Sequence, residues 1–377
     1  MNMFKYSSVI GALLLSCFVA NARTDEWLTA LPDDVMVRKL SIPGAHDAGT
    51  GNGFASGSAF LALFSGVTQS LSIDAQWDAG VRAFDLRPTY KADADGQLQI
   101  YHGILETKVS MKAALQTLVD KLAESPGEMA VVLMRHESDS DSNSDQWAPA
   151  MARLLDEFDE HIAAFSPTMT LGDARGKILV MTRDSFTSDK AATITGWSHS
   201  ENFDDQKKAV VALKHNRAAL YAQDYYECSS TESKYQAVTT LLDYSTTNTS
   251  ATTWVINHVS GYTGSGTNSD VSNLAQALNV RIADYLDTVE PGRTGIVMMD
   301  FAGATSQGGN TLVNSIIAQN DKYIETDSSG IESVNIDGET DGYIYDLSGR
   351  IVGRGCETIN SLSKGLYIYN GHKIIVQ

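Results

Sequence analysis

A chain of 377 residues is long enough for one large domain or two smaller ones, and 43% hydrophobic with 20% charged residues is ordinary for a globular protein. The net charge of −18 at pH 7 argues against nucleic acid as a partner and against general adhesion to anionic membranes.

Residues 1–22 carry the pattern of an export signal. Lys5 is a weak basic start, 9–20 is apolar, and Ala20-Asn21-Ala22 is an A-x-A cleavage site. Leu14-Leu15-Ser16-Cys17 is a second, lipoprotein-type processing site, so anchoring through Cys17 stays open beside cleavage after Ala22. No later segment is apolar for long enough to span a bilayer, and a soluble mature protein is expected. It keeps Cys228 and Cys356, which fall in different expected domains, so two free buried thiols are expected rather than a bridge.

Strands are expected over 38–42, 81–86, 98–101, 129–134, 178–182, 219–223, 254–258 and 295–299. Helical spacing fills several gaps. Met111, Ala114, Leu115, Leu118, Val119 and Leu122 make an apolar stripe over 110–124, with Ser110 as N-cap. Helices are likewise expected over 146–164, 271–286 and 311–317. Eight strands alternating with helices predict an α/β fold, an irregular (β/α)8 TIM-type barrel, irregular because the link from Leu86 to Leu98 is too short for a helix. After Asp327 the pattern changes. Short β-like runs at Tyr343-Ile-Tyr345, Arg350-Ile-Val352 and Leu366-Tyr-Ile-Tyr369 predict a small all-β module over 331–377, joined through Ser328-Ser329-Gly330 to a catalytic barrel over 23–327.

Barrel enzymes place their sites at the C-terminal ends of the strands. Polar residues stand at nearly every such end here: His46, Asp85, Arg87, His102, Arg135, Glu137, Arg183, Asp224 and Asp300. Asp85 and Arg87 are two apart and share a strand face, as do Arg135 and Glu137. Before His46, Pro43-Gly44 is expected to stop the first strand and put the imidazole on a loop. Two histidines bracketing an arginine suit phosphodiester cleavage without a metal: a base, an acid and a fixed positive charge. The other six histidines, 136, 161, 199, 215, 258 and 372, are expected to be structural or on the surface. The acidic run 139–145 starts like a calcium loop but has Ser144 and Ala150 where glycine and glutamate belong, so a flexible loop is expected. Phe54, Phe60, Leu61, Leu63 and Phe64 are either a core-facing helix or an apolar rim.

The stretch Ser41-Ile42-Pro43-Gly44-Ala45-His46-Asp47-Ala48-Gly49-Thr50, then Phe84-Asp85-Leu86-Arg87, Tyr101-His102-Gly103 and Gly172-Asp-Ala-Arg-Gly-Lys-Ile178, resembles the bacterial phosphatidylinositol-specific phospholipases C from about Trp27 to about Lys322. That resemblance implies His46 as general base on the inositol 2-hydroxyl and His102 as general acid for the leaving diacylglycerol. It further implies that Asp300 orients His46, that Asp47 supports His102, and that Arg87 binds the phosphate, with Asp85 counted in the same catalytic set. Arg183, Asp224 and Tyr226 would hold the inositol ring, with Glu137 and, in place of a family lysine, Arg135 beside them. No cofactor or metal is implied. The partner implied is a phosphatidylinositol-containing membrane, met transiently by a monomer, with Phe60 to Phe64 at the lipid. Asp341-Gly-Tyr-Ile-Tyr-Asp-Leu-Ser-Gly-Arg350 and Lys364-Gly-Leu-Tyr-Ile-Tyr-Asn-Gly371 resemble the C-terminal sorting modules of secreted Bacteroidota proteins. Two other readings stay open: a metal-dependent phosphodiesterase using Asp47, Asp85, Glu137 and Asp300, and a non-catalytic inositol- or glycan-binding surface protein.

Overall fold

The computed structural model describes residues 26–137, 141, 144–202, 208–247, 252–324, 342–346, 349–354, 358, 362–369 and 372–376. The segment expected to be an export signal (1–22, with Cys17), most of the 139–145 run, the expected linker over 328–330 and Cys356 lie outside them. The chain forms two compact units that divide between Ile324 and Glu325.

The first unit contains, in order, β1 (Ser41–Ala45), α1 (Ile73–Asp78), β2 (Ala83–Leu86), β3 (Pro88–Tyr90), β4 (Leu98–His102), β5 (Leu105–Ser110), α2 (Met111–Glu124), β6 (Ala130–Met134), α3 (Ser144–Glu157), α4 (Leu171–Ala174), β7 (Ile178–Thr182), β8 (Ala191–Thr195), β9 (Ala209–Leu213), β10 (Asn216–Gln223), α5 (Thr231–Thr247), β11 (Trp254–His258), α6 (Asn268–Thr288), β12 (Gly295–Met299) and α7 (Gly309–Ala318). A closed barrel runs β1-β12-β11-β10-β9-β8-β7-β6-β2. All of its pairings are parallel except the two made by β9, which is inserted against the direction of its neighbours. Such strands are buried on both faces, which is why β6, β7 and β12 are continuous apolar runs with every residue buried.

Three expectations are corrected. The segment 98–101 is β4, which belongs to a three-stranded antiparallel sheet with β3 and β5 and not to the barrel. Its place among the parallel strands is taken by β8, whose Ala-Ala-Thr-Ile-Thr sequence is a weak strand signal with no helix among the described residues directly after it. The first strand also starts and ends later than 38–42, and Pro43-Gly44 lies inside it, paired with Val297 and Met298. Glycine is needed at position 44 because a Cβ there would meet Met298 Sδ at 2.3 Å. The turn comes at Asp47, which takes a left-handed φ of 45°. Thirdly, the helix expected over 146–164 stops at Glu157, and Asp159–His161 is a separate 3-10 turn. Ser110 caps α2 as expected, its hydroxyl accepting from Ala113 N at 3.1 Å.

Strand alternation explains how the barrel makes a site. Ile42, Ala83, Val131, Leu133, Leu179, Met181, Leu220, Ala222, Ile256, Ile296 and Met298 fill one core cluster, the barrel interior. Two-residue steps from these inward positions reach His46, Asp85, Arg135, Arg183, Asp224, His258 and Asp300. The same faces therefore pass from a packed apolar plug to a polar mouth.

In the second unit, β13 (Tyr343–Asp346), β14 (Ile351–Arg354), β15 (Gly365–Tyr369) and β16 (His372–Val376) form one antiparallel sheet in the order β14-β13-β15-β16. Among the described residues no helix is long and apolar enough to cross a membrane.

Candidate active site

A cleft of about 550 Å³ opens at the C-terminal mouth of the barrel. It is lined by ten of the eleven residues expected in the site: His46, Asp47, Arg87, His102, Arg135, Glu137, Arg183, Asp224, Tyr226 and Asp300. Asp85 is the exception. It is 3% exposed and lies beneath Arg87, where its Oδ2 accepts from Arg87 Nη2 at 2.8 Å and from Asp47 N at 3.3 Å.

His46 is held from two sides. Its Nδ1 is 2.8 Å from Asp300 Oδ1, and Asp300 is fixed by Gly261 N donating to Oδ2 at 3.1 Å. Arg87 Nη2 lies 2.9 Å from His46 Nε2. A guanidinium N–H only donates, so in the neutral ring Nε2 accepts and the proton sits on Nδ1, facing Asp300. Burial alone would lower the His46 pKa, but the Asp47 and Asp300 carboxylates raise it to about 9, with Arg87 opposing them.

His102 reaches the same point by another route. The small sheet grows directly out of β2, and Tyr101 N donates to Arg87 O at 3.0 Å. This carries the end of β4 over the barrel mouth. His102 Nδ1 is 2.9 Å from the Gly66 carbonyl, which requires the proton on Nδ1. Nε2 then points at Asp47 Oδ2, 3.6 Å away, while His46 Nε2 is 3.2 Å from the same oxygen. Two imidazoles thus face one small volume, with Asp47 between them.

Arg87 is the fixed charge. Its Nε is 2.8 Å from Asp47 Oδ1, and Glu137 Oε2 is 4.0 Å from Nη1. Burial would discharge the guanidinium, but Asp47, Asp85 and Glu137 raise its pKa well above the usual value. Burial would likewise raise the Asp85 carboxyl, yet Arg87 and His46 hold it well below the carboxylate range. Glu137 is pushed up by burial against Arg87. His46, Asp47 and Asp85 also have the spacing of a metal-ligand set. The Arg87 guanidinium contacts all three of them, and a cation at that point would meet its charge at close range.

The far wall of the cleft has a second group. Arg183 Nη1 lies 3.6 Å from Asp224 Oδ2, and the guanidinium sits over the Trp197 ring at 4.5 Å. Tyr226 stands at the rim, 41% exposed. His258, expected to be structural, is buried behind Asp224, and burial lowers its pKa to about 3. His199 is exposed, as expected for one of these histidines, and it also lines the cleft. The only sequence sign of this was the Trp197-Ser-His199 spacing after a short strand. Gly66 was also missed, since its contribution is a backbone carbonyl. Cys228 is a buried free thiol.

Of the apolar cluster, Phe54 is buried, whereas Phe60, Leu61, Leu63 and Phe64 are 69%, 47%, 71% and 60% exposed around a 3-10 turn. Ile104, directly after His102-Gly103, is 66% exposed. Leu61, Phe64 and Ile104 line the cleft, so the apolar rim borders the site.

No family model matches the chain. A 1-phosphatidylinositol phosphodiesterase of Staphylococcus aureus (strain Newman) is 25% identical over 311 residues, 78% of this chain and 94% of the relative. One from Listeria monocytogenes is 29% identical over 164 residues, 43% of this chain and 49% of the relative. The chain is a homologue of the bacterial phosphatidylinositol-specific phospholipases C. Solved phospholipases C of this kind have the same barrel. A Staphylococcus aureus structure from work on its membrane binding superposes with a TM-score of 0.67 at 22% identity, over 79% of this chain and 97% of that one. The Listeria monocytogenes phospholipase C gives 0.60 at 22% identity, over 79% and 99%.

Proposed function

We propose that the chain is a phosphatidylinositol diacylglycerol-lyase, a phospholipase C that cleaves phosphatidylinositol to diacylglycerol and 1,2-cyclic inositol phosphate. Glycosyl-phosphatidylinositol anchors carry the same bond and are candidate substrates. The observation that carries the reading is the placement of two imidazole Nε2 atoms 3.2 and 3.6 Å from one carboxylate oxygen, with a guanidinium beside them. His46 takes the proton of the inositol 2-hydroxyl, and that oxygen attacks the phosphorus within the same molecule, so much of the entropy of approach is already lost. Arg87 presents paired donors to the phosphoryl oxygens, leaving the His46 lone pair for the hydroxyl. His102 protonates the departing diacylglycerol oxygen. Asp300 orients His46, while Asp47 sits between the histidines and favours the charged form of His46. The ring is assigned to Arg135, Glu137, Arg183, Asp224 and Tyr226. The contact of Arg87 with all three candidate metal ligands supports a metal-independent reaction over a metal-dependent one. Diacylglycerol release from phosphatidylinositol vesicles, with phosphatidylcholine vesicles as the control, tests the reading. Release from both or from neither contradicts it.

The base must be unprotonated at Nε2 to work. Since two carboxylates raise the His46 pKa to about 9, kcat/KM should climb with pH through the neutral range and fall as pH drops. Asp300→Asn removes one of the raising charges, so the acid limb of the pH profile should move to lower pH even as the maximum falls. An unmoved limb would assign that limb to another group.

The exposed rim of Phe60, Leu61, Leu63, Phe64 and Ile104 suits shallow contact with a membrane, brief and by a monomer. Export through the 1–22 signal fits such a substrate, and the C-terminal sheet is assigned a sorting role. The chain cut to residues 23–327 should therefore fold and keep its activity, because every proposed site residue lies before Asp327. Circular dichroism and the vesicle assay check this, and insoluble or inactive protein would make the tail part of the catalytic unit.

A further inference from the structure

The reversed strand β9 has a local consequence. The connection from β8 to β9 carries no described helix, and it brings His199 to the cleft wall, with Trp197 packed against Arg183 and Asp224. His199 Nε2 lies 2.9 Å from Arg183 Nη2, and its Nδ1 is 3.2 Å from Asp224 Oδ2. Arginine only donates and an ionised carboxylate only accepts, so a ring between them is neutral with its proton on Nδ1. Trp197 Nε1 donates to the same Asp224 oxygen at 2.8 Å. The remaining neighbours are Tyr226, whose ring meets His199 edge-on at 5.8 Å, and His258, whose Nδ1 is 3.7 Å from Asp224 Oδ1.

Arg183 needs this support. Its direct ion pair to Asp224 is long at 3.6 Å, and burial works against its charge. Arginine otherwise has many rotamers to lose when a ligand binds.

We infer that His199 is a headgroup-positioning residue, a neutral bridge that holds Arg183 and Asp224 at the spacing the inositol hydroxyls require. The inference rests on the reading of the cleft given under Proposed function. The polar contacts of His199 go to Arg183 and Asp224, so its loss weakens ring binding and leaves the chemical step intact. Its side chain is 46% exposed, so substitutions there spare the fold.

The test is steady-state kinetics of the full chain on phosphatidylinositol in detergent micelles, with myo-inositol as competing ligand. His199→Leu keeps the bulk and removes the bridge. It should raise KM and the myo-inositol inhibition constant about tenfold while kcat stays within about twofold, the scale of a charge-assisted hydrogen bond lost from a half-exposed site. His199→Gln can accept from Arg183 and donate to Asp224, and should restore KM to within about threefold. If the wild type turns over phosphatidylinositol and the Leu variant matches it, or loses kcat and not KM, the positioning role is overturned while the proposed function stands. If the wild type releases no cyclic inositol phosphate, the function fails and this inference with it. Should the Leu variant not fold, His199→Ala decides beside the Gln variant: an Ala variant with the wild-type KM and myo-inositol inhibition constant overturns the bridge.

Discussion

His46→Ala should lower kcat on phosphatidylinositol by at least ~100-fold, the usual scale for a general base, and His102→Ala by as much for the loss of the acid. Both variants should fold. The two side chains are 14% and 28% exposed and stand at the barrel mouth, outside the apolar clusters. The two losses should differ in kind. A leaving group that departs readily without a proton, such as a nitrophenolate on inositol phosphate, should recover much of the rate in His102→Ala and little in His46→Ala. Thermal unfolding together with kcat on both substrates checks this, and near-normal activity in either variant would refute its assignment.

Arg87→Lys should also lose at least ~100-fold, although the charge is kept, because one ammonium cannot replace paired donors aimed at a developing phosphorane charge. The guanidinium bridges Asp47 Oδ1 and Asp85 Oδ2, each at 2.8 Å, and touches His46 at 2.9 Å. It thereby contacts every member of the one candidate metal group among the described residues. Wild-type activity should accordingly persist in excess EDTA. Activity lost in EDTA and restored by calcium would favour the metal-dependent reading. Arg87→Asp sharpens the comparison, since it removes the guanidinium and adds a ligand, so any residual activity should respond to calcium.

Most of this site was legible in the sequence because a parallel barrel converts strand periodicity into geometry. Stepping by two from buried Met298, Met181 or Ala222 arrives at Asp300, Arg183 or Asp224 with no further information. The resemblance over 41–50 and 101–103 added the roles of His46 as base and His102 as acid. What was not legible has physical causes. Strand β4 reads like a barrel strand because a half-buried antiparallel strand and a short buried one look alike over five residues. Proline-glycine ordinarily marks a turn, but here close packing by Met298 keeps the pair within β1. Strand β8 is Ala- and Thr-rich, so β9 and the Trp197–His199 wall it supports were passed over. Backbone contributions such as the Gly66 carbonyl have no side-chain signature.

The central claim is that the inositol 2-hydroxyl is the nucleophile, driven by His46 and His102 across the phosphate held at Arg87. Phosphorus NMR of phosphatidylinositol vesicles incubated with the protein tests it most directly. The account predicts that the 1,2-cyclic phosphate resonance appears first, with any acyclic inositol phosphate growing later at its expense. Acyclic phosphate appearing from the start with no cyclic precursor would mean that water attacks the phosphorus, and the assignment of the two histidines would fall.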